Sequence, residues 1–312
     1  MAKVKAKTGL SKLNRILFFV FVGLLIATIV IIIVSKPKVA QKAEGTAEAG
    51  AAATDEIKIE EFKAGTYGGK DFQSVEDVVK YYVEVFDYNK TLTAPYKENG
   101  ESKTYYKLLG DESLTIENLL IEGQENAMIN KLVPGILDGI FKGNVKGLPP
   151  SDNRDPNLDT RDDGKIDERH SHLTADDVLA CNVKDNGDGT ISISIQPKAQ
   201  ILSMPDADPQ GRFFNVLGDI SSTVNSISVL SFSEGTIDEN FVVNYAGGVG
   251  TIKVDTKTNE VVEADYEMDV HIDVKHANVT VIKDKNASLD IIYKNHFPAS
   301  DQYLKDMKGI TR

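Results

Sequence analysis

The chain of 312 residues contains a single cysteine, Cys181, and no tryptophan. One cysteine cannot form an intramolecular disulfide, so the core must be held by packing alone, which disfavours a small disulfide-stapled secreted module. The common catalytic motifs are also missing, since the sequence has no G-x-S-x-G, P-loop, C-x-x-C or H-E-x-x-H. An enzyme is therefore the weaker class of function, although a convergent catalytic arrangement is compatible with the sequence.

Positive charge is scarce in most of the chain. Residues 1–55 hold eight of the 35 lysines and arginines and three of the 47 acidic residues, which leaves 27 basic against 44 acidic residues in 56–312. Nucleic acids and anionic lipid headgroups both require a positive protein face. The composition thus predicts no nucleic-acid partner, and it indicates either a solvated acidic surface or one that binds cations.

A charge-free run of nineteen residues, Ile16 through Val34, follows the basic N-terminus. As a helix it would be about 28 Å long, close to the roughly 30 Å of bilayer hydrocarbon. The run is too long for a signal-peptide core and lacks a nearby cleavage site, so it predicts an uncleaved anchor with a cytoplasmic N-terminus. The predicted organisation is a cytoplasmic tail (1–15), a transmembrane helix in contact with the lipid bilayer (16–35), a flexible alanine-rich stalk (36–56) and an extracytoplasmic domain (57–312). The predicted location is therefore the cell membrane, crossed once.

The C-terminal domain is predicted to be α+β, with helices packed on a large antiparallel sheet. Its first part, 57–142, is predicted to be helical, because Ser74 and Asp77 can form a capping box before an apolar run at helical spacing. A second amphipathic run begins at Gln124. Glycines and prolines then interrupt the pattern, which predicts a long loop at 143–172.

The remaining part, 173–297, is predicted to form the sheet. The turn at 186–189 precedes alternating isoleucines, which is typical of a hairpin. Residues 262–275 alternate seven times between apolar and polar, which predicts a long strand with one buried and one wet face, paired through a turn with 249–254. A further turn is predicted at 283–286. Since a sheet with one apolar face must be covered, the early helices are the predicted cover.

The candidate metal ligands are Asp159, Asp163 and Asp167. They lie in a segment that resembles a calcium loop, and calcium prefers six to eight oxygen ligands. Two positions of the segment do not match a calcium-binding loop. Arg161 occupies position three, where an oxygen ligand is expected, and His170 occupies position twelve, where a bidentate carboxylate is expected. Calcium is thus a possible cofactor, with a solvated acidic loop as the alternative. No other cofactor and no catalytic residue is predicted.

Two further patterns bring titratable groups together. His170 and His172 can present two imidazoles on one strand face, but spacing identifies no third zinc ligand. Carboxylates two residues apart on one strand face can share a proton or a cation. Alternation also arises simply from keeping one face of a sheet wet. The carboxylates on the wet face of the predicted long strand are Glu263, Asp265, Glu267, Asp269 and Asp273.

Four short motifs follow the basic tail, the span and the stalk: LPPS at 148–151, HLTADDV at 172–178, NGDGT at 186–190 and VDTKTNE at 254–260. In this layout the chain, over about residues 70–297, resembles uncharacterised single-pass surface proteins of clostridia-type Gram-positive bacteria. The resemblance implies an extracellular helix-and-sheet domain of the cell envelope without assigned catalytic residues.

We therefore predict a membrane-anchored extracytoplasmic binding or structural module of the bacterial cell envelope. Two alternatives remain open. A carrier of a hydrophobic ligand such as lipid would use the apolar face of the sheet, and an extracytoplasmic hydrolase would use acidic residues of the 152–168 loop or the long strand. A hydrolase should show acids converging with a base in a cleft, whereas a binding module should show an apolar groove or a flat exposed patch.

Overall fold

The computed structural model describes residues 55–125, 147–151, 170–216, 218, 230–279 and 282–312. Strands hold 49% of these residues and helices 15%. The fold is thus mostly β, and the predicted α+β class with a helical layer is wrong. The large antiparallel sheet of that prediction is present.

The described residues form three sheets. The two-stranded sheet pairs β1 (Gly65–Tyr67) with β2 (Lys70–Phe72), and the three-stranded sheet places β3 (Thr93–Glu98) between β4 (Glu101–Tyr106) and β15 (Ile310–Thr311). The ten-stranded sheet contains β5 (Asp111–Ile121), β6 (Gln124–Glu125), β7 (Val178–Asp185), β8 (Thr190–Pro197), β9 (Gln200–Ile201), β10 (Leu230–Phe232), β11 (Phe241–Tyr245), β12 (Val249–Asp255), β13 (Val261–Val279) and β14 (Ile282–Phe297). The α-helices are α1 (Val75–Thr91), α2 (Ile237–Asn240) and α3 (Asp301–Lys308), and a 3₁₀ turn spans Ala175–Asp177.

A long hairpin of β13 and β14 forms the centre of the large sheet. The order across the sheet is β6, β5, β14, β13, β12, β8, β7, and β10 and β11 pair with the second half of β13. All of these pairings are antiparallel. The pairing of 249–254 with the start of the long strand and the hairpin around 186–189 are both confirmed.

Two irregularities in the central hairpin differ from the prediction. The turn predicted at 283–286 is wrong, because these residues lie inside β14. Asp284 and His276 instead adopt positive φ angles of 56° and 52° where the register of the pairing shifts, so the turn-like composition marks a bulge. The alternation was also predicted to begin with Val262 on the buried face. A second bulge instead buries Val261 and leaves Val262 44% exposed, so the alternation begins after Val262.

Helix α1 begins as predicted, but the predicted helical part of the chain is mostly strand. Ser74 Oγ accepts a hydrogen bond from Asp77 N, and the Asp77 carboxylate accepts one from Ser74 N. After α1 the chain forms β3, β4 and β5, and β5 pairs with β14. Tertiary pairing of this kind overrides local helical spacing. The second predicted helical run starts in β6 at Gln124 and otherwise lies outside the described residues.

The apolar face of the central hairpin is filled by protein side chains. The hydroxyl groups of Tyr82 on α1 and Tyr266 on β13 lie 2.9 Å apart, and both side chains are buried. The ring of Phe213 packs 5.5 Å from that of Tyr266. A Cβ atom at Gly250 would lie 2.6 Å from both Phe213 and Tyr266, so the close approach of β12 to these rings requires glycine.

The predicted membrane location is contradicted. In the described part of the chain, no helix is both long and apolar enough to cross a membrane. The longest, α1, has 17 residues and carries charged side chains on its exposed face. The location as a single-pass membrane protein with an extracytoplasmic C-terminal domain is therefore not retained. The segments assigned to the tail, the span and most of the stalk, residues 1–54, lie outside the described residues.

Candidate functional site

The solvent-facing side of the large sheet carries a cleft of about 910 Å³. Its floor is formed by β5, β12, β13 and β14. One rim is a covering segment (residues 55–62), which contributes Lys58 and Ile59, and the other is the start of α3, which contributes Ser300 and Tyr303. The cleft thus lies where four strands, the covering segment and the last helix meet.

Strand register places the outward-facing side chains of the floor in two rows. Directly opposite residues of an antiparallel pair share a face of the sheet. The first row runs Thr251, Asp265, His296, Asp111 across β12, β13, β14 and β5. The second row runs Val249, Glu267, Lys294, Ser113 across the same strands.

The covering segment is fixed by a buried glutamine. Gln196 on β8 is fully buried, and its side-chain amide donates to Glu56 O at 2.6 Å and accepts from Lys58 N at 2.8 Å. Lys58 Nζ then reaches the outer face of β13 and pairs with Asp269 Oδ2 at 2.6 Å. The segment is therefore anchored at both its backbone and its lysine, so the rim of the cleft is positioned by contacts to two strands.

The titratable groups of the first row influence one another. His296 Nδ1 lies 2.7 Å from Asp265 Oδ1, and Asp111 is the cross-strand neighbour of His296 on the other side. Burial raises the pKa of Asp111, while hydrogen bonding from Ser300 N and the charge of His296 partly oppose this shift. The row therefore combines a histidine paired with one carboxylate and a second carboxyl group whose pKa is raised by burial.

Below the rim, an acidic side chain is enclosed by tyrosines. The carboxylate oxygens of Glu112 on β5 are buried. Burial raises the pKa of Tyr293 well above its usual value, and the charge of Glu112 raises it further. Burial and the same carboxylate also raise the pKa of Tyr303. Both tyrosine hydroxyl groups thus stay protonated beside the Glu112 carboxylate.

One group of side chains in the described residues has the spacing of metal ligands. Glu263, Asp265 and His296 each offer one donor atom, and these atoms all lie within 4.8 Å of one another. Asp265 and His296 also line the cleft. The sequence-predicted calcium ligands Asp159, Asp163 and Asp167 lie outside the described residues, so calcium binding there stays a prediction.

The other predicted groupings are separated by the fold. His170 contacts Asp87, whereas His172 contacts Asp206, so these two histidines do not share a ligand. The wet-face carboxylates of β13 mostly pair with cations rather than with one another. These pairs are Glu267 with Lys294, Asp269 with Lys58, and Asp273 with His271.

The site residues missed by reasoning from the sequence include Lys58, Asp111, Lys294 and His296. Lys294 and His296 occupy alternate positions in an alternating segment, which is the signal that places them on the wet face. Their neighbours on β13 can be assigned only from the register of the β13–β14 hairpin. The turn predicted at 283–286 gives the wrong register. Asp111 comes from a strand that was predicted as helical.

Comparisons with protein-family models, curated proteins and solved structures found no match. No relative therefore assigns a function to the cleft. The resemblance to Gram-positive surface proteins stays a prediction.

Proposed function

We propose that the chain is a binding module, that its ligand site is the cleft on the outer face of the sheet, and that the ligand is a small polar molecule carrying positive charge. One observation carries this proposal. Both lysines of the cleft are already paired with carboxylates, Lys58 with Asp269 and Lys294 with Glu267. The cleft is also lined by Asp111, Asp265 and Glu112, so its carboxylates outnumber its basic groups.

Charge supports binding of a cation over an anion at this site. An anionic ligand would have to displace a carboxylate from each lysine that it contacts. A cationic ligand can instead approach Asp111 and Asp265 without breaking an existing lysine pair. Complementary charge of this kind contributes to specificity and to the rate of association.

The apolar face of the sheet gives little support to a carrier of hydrophobic ligands. Tyr82, Phe213, Tyr266 and Phe297 pack against one another on that face, with neighbouring ring centroids between 5.5 and 6.4 Å apart. A lipid chain at this place would have to displace aromatic side chains that are buried in the core.

A second candidate function, hydrolysis, is favoured by the acids and the base that meet in the cleft. The His296–Asp265 pair can accept a proton, and the raised pKa of Asp111 suits a proton donor. A hydrolase would require D111N to abolish turnover of a substrate while binding persists. A binding module requires only that D111N weakens binding.

Isothermal titration of the full chain with spermidine as cationic probe and citrate as anionic probe tests the binding proposal. We expect spermidine to bind and citrate not to bind. D111N should weaken spermidine binding by about tenfold, because one charged hydrogen-bond partner is worth about 1.5 kcal/mol or more. The matched control is E101Q, since Glu101 is an exposed acid on β4 outside the cleft. Equal binding by D111N and wild type would contradict the proposal, and so would stronger binding of citrate.

A further inference from the structure

We infer that Glu263, Asp265 and His296 form a binding site for a divalent transition-metal ion, with zinc the ion that fits the donor set. The donor atoms of the three side chains lie within 4.8 Å of one another, so small side-chain rotations bring all three within reach of one ion. Zinc binds carboxylate oxygens and imidazole nitrogens at about 2.0–2.2 Å. The inference goes beyond the proposed function, because it assigns a metal ion to one end of the cleft; the two sites share Asp265 and are tested with separate probes.

The backbone holds these ligands before any ion arrives. Glu263 and Asp265 are two residues apart on the outer face of β13, and His296 is the direct cross-strand partner of Asp265 on β14. All three ligands thus project from paired strands at the centre of the sheet rather than from a loop. Sites built on regular elements hold their geometry more closely than sites on loops.

Charge balance favours a divalent cation at the same point. In the described part of the chain, Glu263 and Asp265 pair with no lysine or arginine. The cross-strand neighbour of Glu263 is Lys253, but its Nζ lies 3.1 Å from Asp188 on the adjoining hairpin. Glu263 has no basic partner among the described residues and Asp265 pairs only with His296, so the group keeps a negative charge that a divalent ion neutralises.

The number and type of ligands select the class of metal. Calcium takes six to eight oxygen ligands, so two carboxylates and an imidazole are a poor set for it. Zinc takes three protein ligands with an open fourth position at catalytic sites. Asp265 and His296 also line the cleft, so the open position adjoins a space that a ligand can enter. The cleft therefore gives both a metal ion and a ligand access to this position.

Zinc titration of the full chain, freed of metal and carrying no affinity histidines, tests the inference. We expect one zinc ion per chain in isothermal titration. H296Q and E263Q should each lower the affinity at least about tenfold, because even loss of an outer partner of a metal ligand costs 10–100-fold. The three side chains are exposed, so both variants should keep the far-ultraviolet circular dichroism of the wild type.

Two controls separate this site from general binding of metal to surface histidines and acids. H172Q removes a histidine that also contacts an aspartate but lies elsewhere, and E267Q removes the next acid on the same face of β13. Both should retain zinc binding. Cobalt(II) added to the wild type should give a visible absorption spectrum of a low-coordinate site that H296Q lacks.

The inference is overturned by any of three results: no zinc binding by the wild type, unchanged affinity in H296Q and E263Q, or an equal loss in H172Q. Failure of the proposed function would be seen separately. Spermidine binding depends on Asp111 and is measured without metal, whereas zinc binding is measured without spermidine. D163N, which alters the predicted calcium segment, should leave zinc affinity unchanged.

Discussion

At the scale of single residues, each of the five histidines makes the same kind of contact, a pairing with an aspartate. Each places Nδ1 within 3.3 Å of an aspartate oxygen. In a chain with net charge −12 this arrangement gives the imidazoles carboxylate partners on the surface. The pairs are His170 with Asp87, His172 with Asp206, His271 with Asp290, His276 with Asp284 and His296 with Asp265.

His271 makes the stability of the fold depend on pH. Burial lowers its pKa, but hydrogen bonds and charge interactions with Asp290 and Asp273 outweigh burial, so the net effect raises the pKa above 6.5. A histidine with a raised folded-state pKa stabilises the fold fully below its unfolded pKa and loses that effect as pH rises through the folded pKa. We expect H271Q to lower the free energy of unfolding more at about pH 5.5 than at about pH 8.5.

Urea denaturation of wild type and H271Q at the two pH values measures this difference. D290N is the matched variant, because it removes the carboxylate that lies 2.6 Å from His271 Nδ1. In the D290N background the pH dependence of the H271Q effect should shrink. An equal effect of H271Q at both pH values, or a larger one at high pH, would show that the aspartates do not raise the pKa.

At the scale of elements, a pair of tyrosine hydroxyl groups joins α1 to the central hairpin. Tyr82 and Tyr266 are buried, and their hydroxyl groups form a hydrogen bond of 2.9 Å. Y82F leaves the Tyr266 hydroxyl without this partner in an apolar site, which should cost about 1–3 kcal/mol of unfolding free energy. Removing both hydroxyl groups leaves neither position with a buried hydroxyl that has lost its partner.

A double-mutant cycle in urea tests this coupling. Y82F and Y266F should each destabilise the fold, while the double variant should be destabilised by less than the sum of the two single effects. Y67F is the control, because the Tyr67 hydroxyl donates to a backbone carbonyl at an exposed position, so its loss should be small. Strictly additive effects of Y82F and Y266F would mean that the two hydroxyl groups do not stabilise each other.

Elements with a strong local pattern could be predicted from the sequence. The capping box at Ser74, the hairpin at 186–189 and the pairing of β12 with β13 each depend on residues close together in the chain. Strand β5 could not be predicted in this way, because its partner β14 lies about 170 residues later. The bulges could not be predicted for the same reason. The sequence around Asp284, which has a positive φ, resembles a turn until the opposite strand is known.

The candidate site could be predicted in part. Period-two alternation placed Glu263 and Asp265 on one wet face, and that placement is correct. The third ligand, His296, required the register of β14 against β13, which the misplaced turn at 283–286 obscured. Lys58 required a segment from the start of the described chain to cross the sheet, and no local pattern carries that information.

At the scale of the whole molecule, few helices of the described part of the chain cover the large sheet. Among the described residues, α1 is the one long amphipathic helix that packs against the apolar face, and aromatic side chains of the 203–216 loop fill much of the remainder. A smaller core joins the three-stranded sheet to α3 through Tyr96, Leu304 and Ile310. Stability therefore depends on long-range strand pairing, which is slow to form and cooperative once formed.

The single cysteine can report on that cooperativity. Cys181 lies on β7, at the edge of the large sheet, and is 2% exposed. Burial, assisted by the charge of Glu76, raises the pKa of its thiol to about 11. Because the thiolate is the reactive form, Cys181 should react with a disulfide reagent at neutral pH only when β7 opens.

The rate of this reaction distinguishes local from global opening. When closing is faster than labelling, the rate follows the population of the open state. If β7 opens only with the whole sheet, Y82F should accelerate labelling about tenfold for each 1.4 kcal/mol that it removes from the unfolding free energy. The unfolded chain in urea gives the rate of the freely exposed thiol, and Y67F should label like the wild type. A rate unchanged by Y82F would show that β7 detaches alone, since an edge strand is held on one side only.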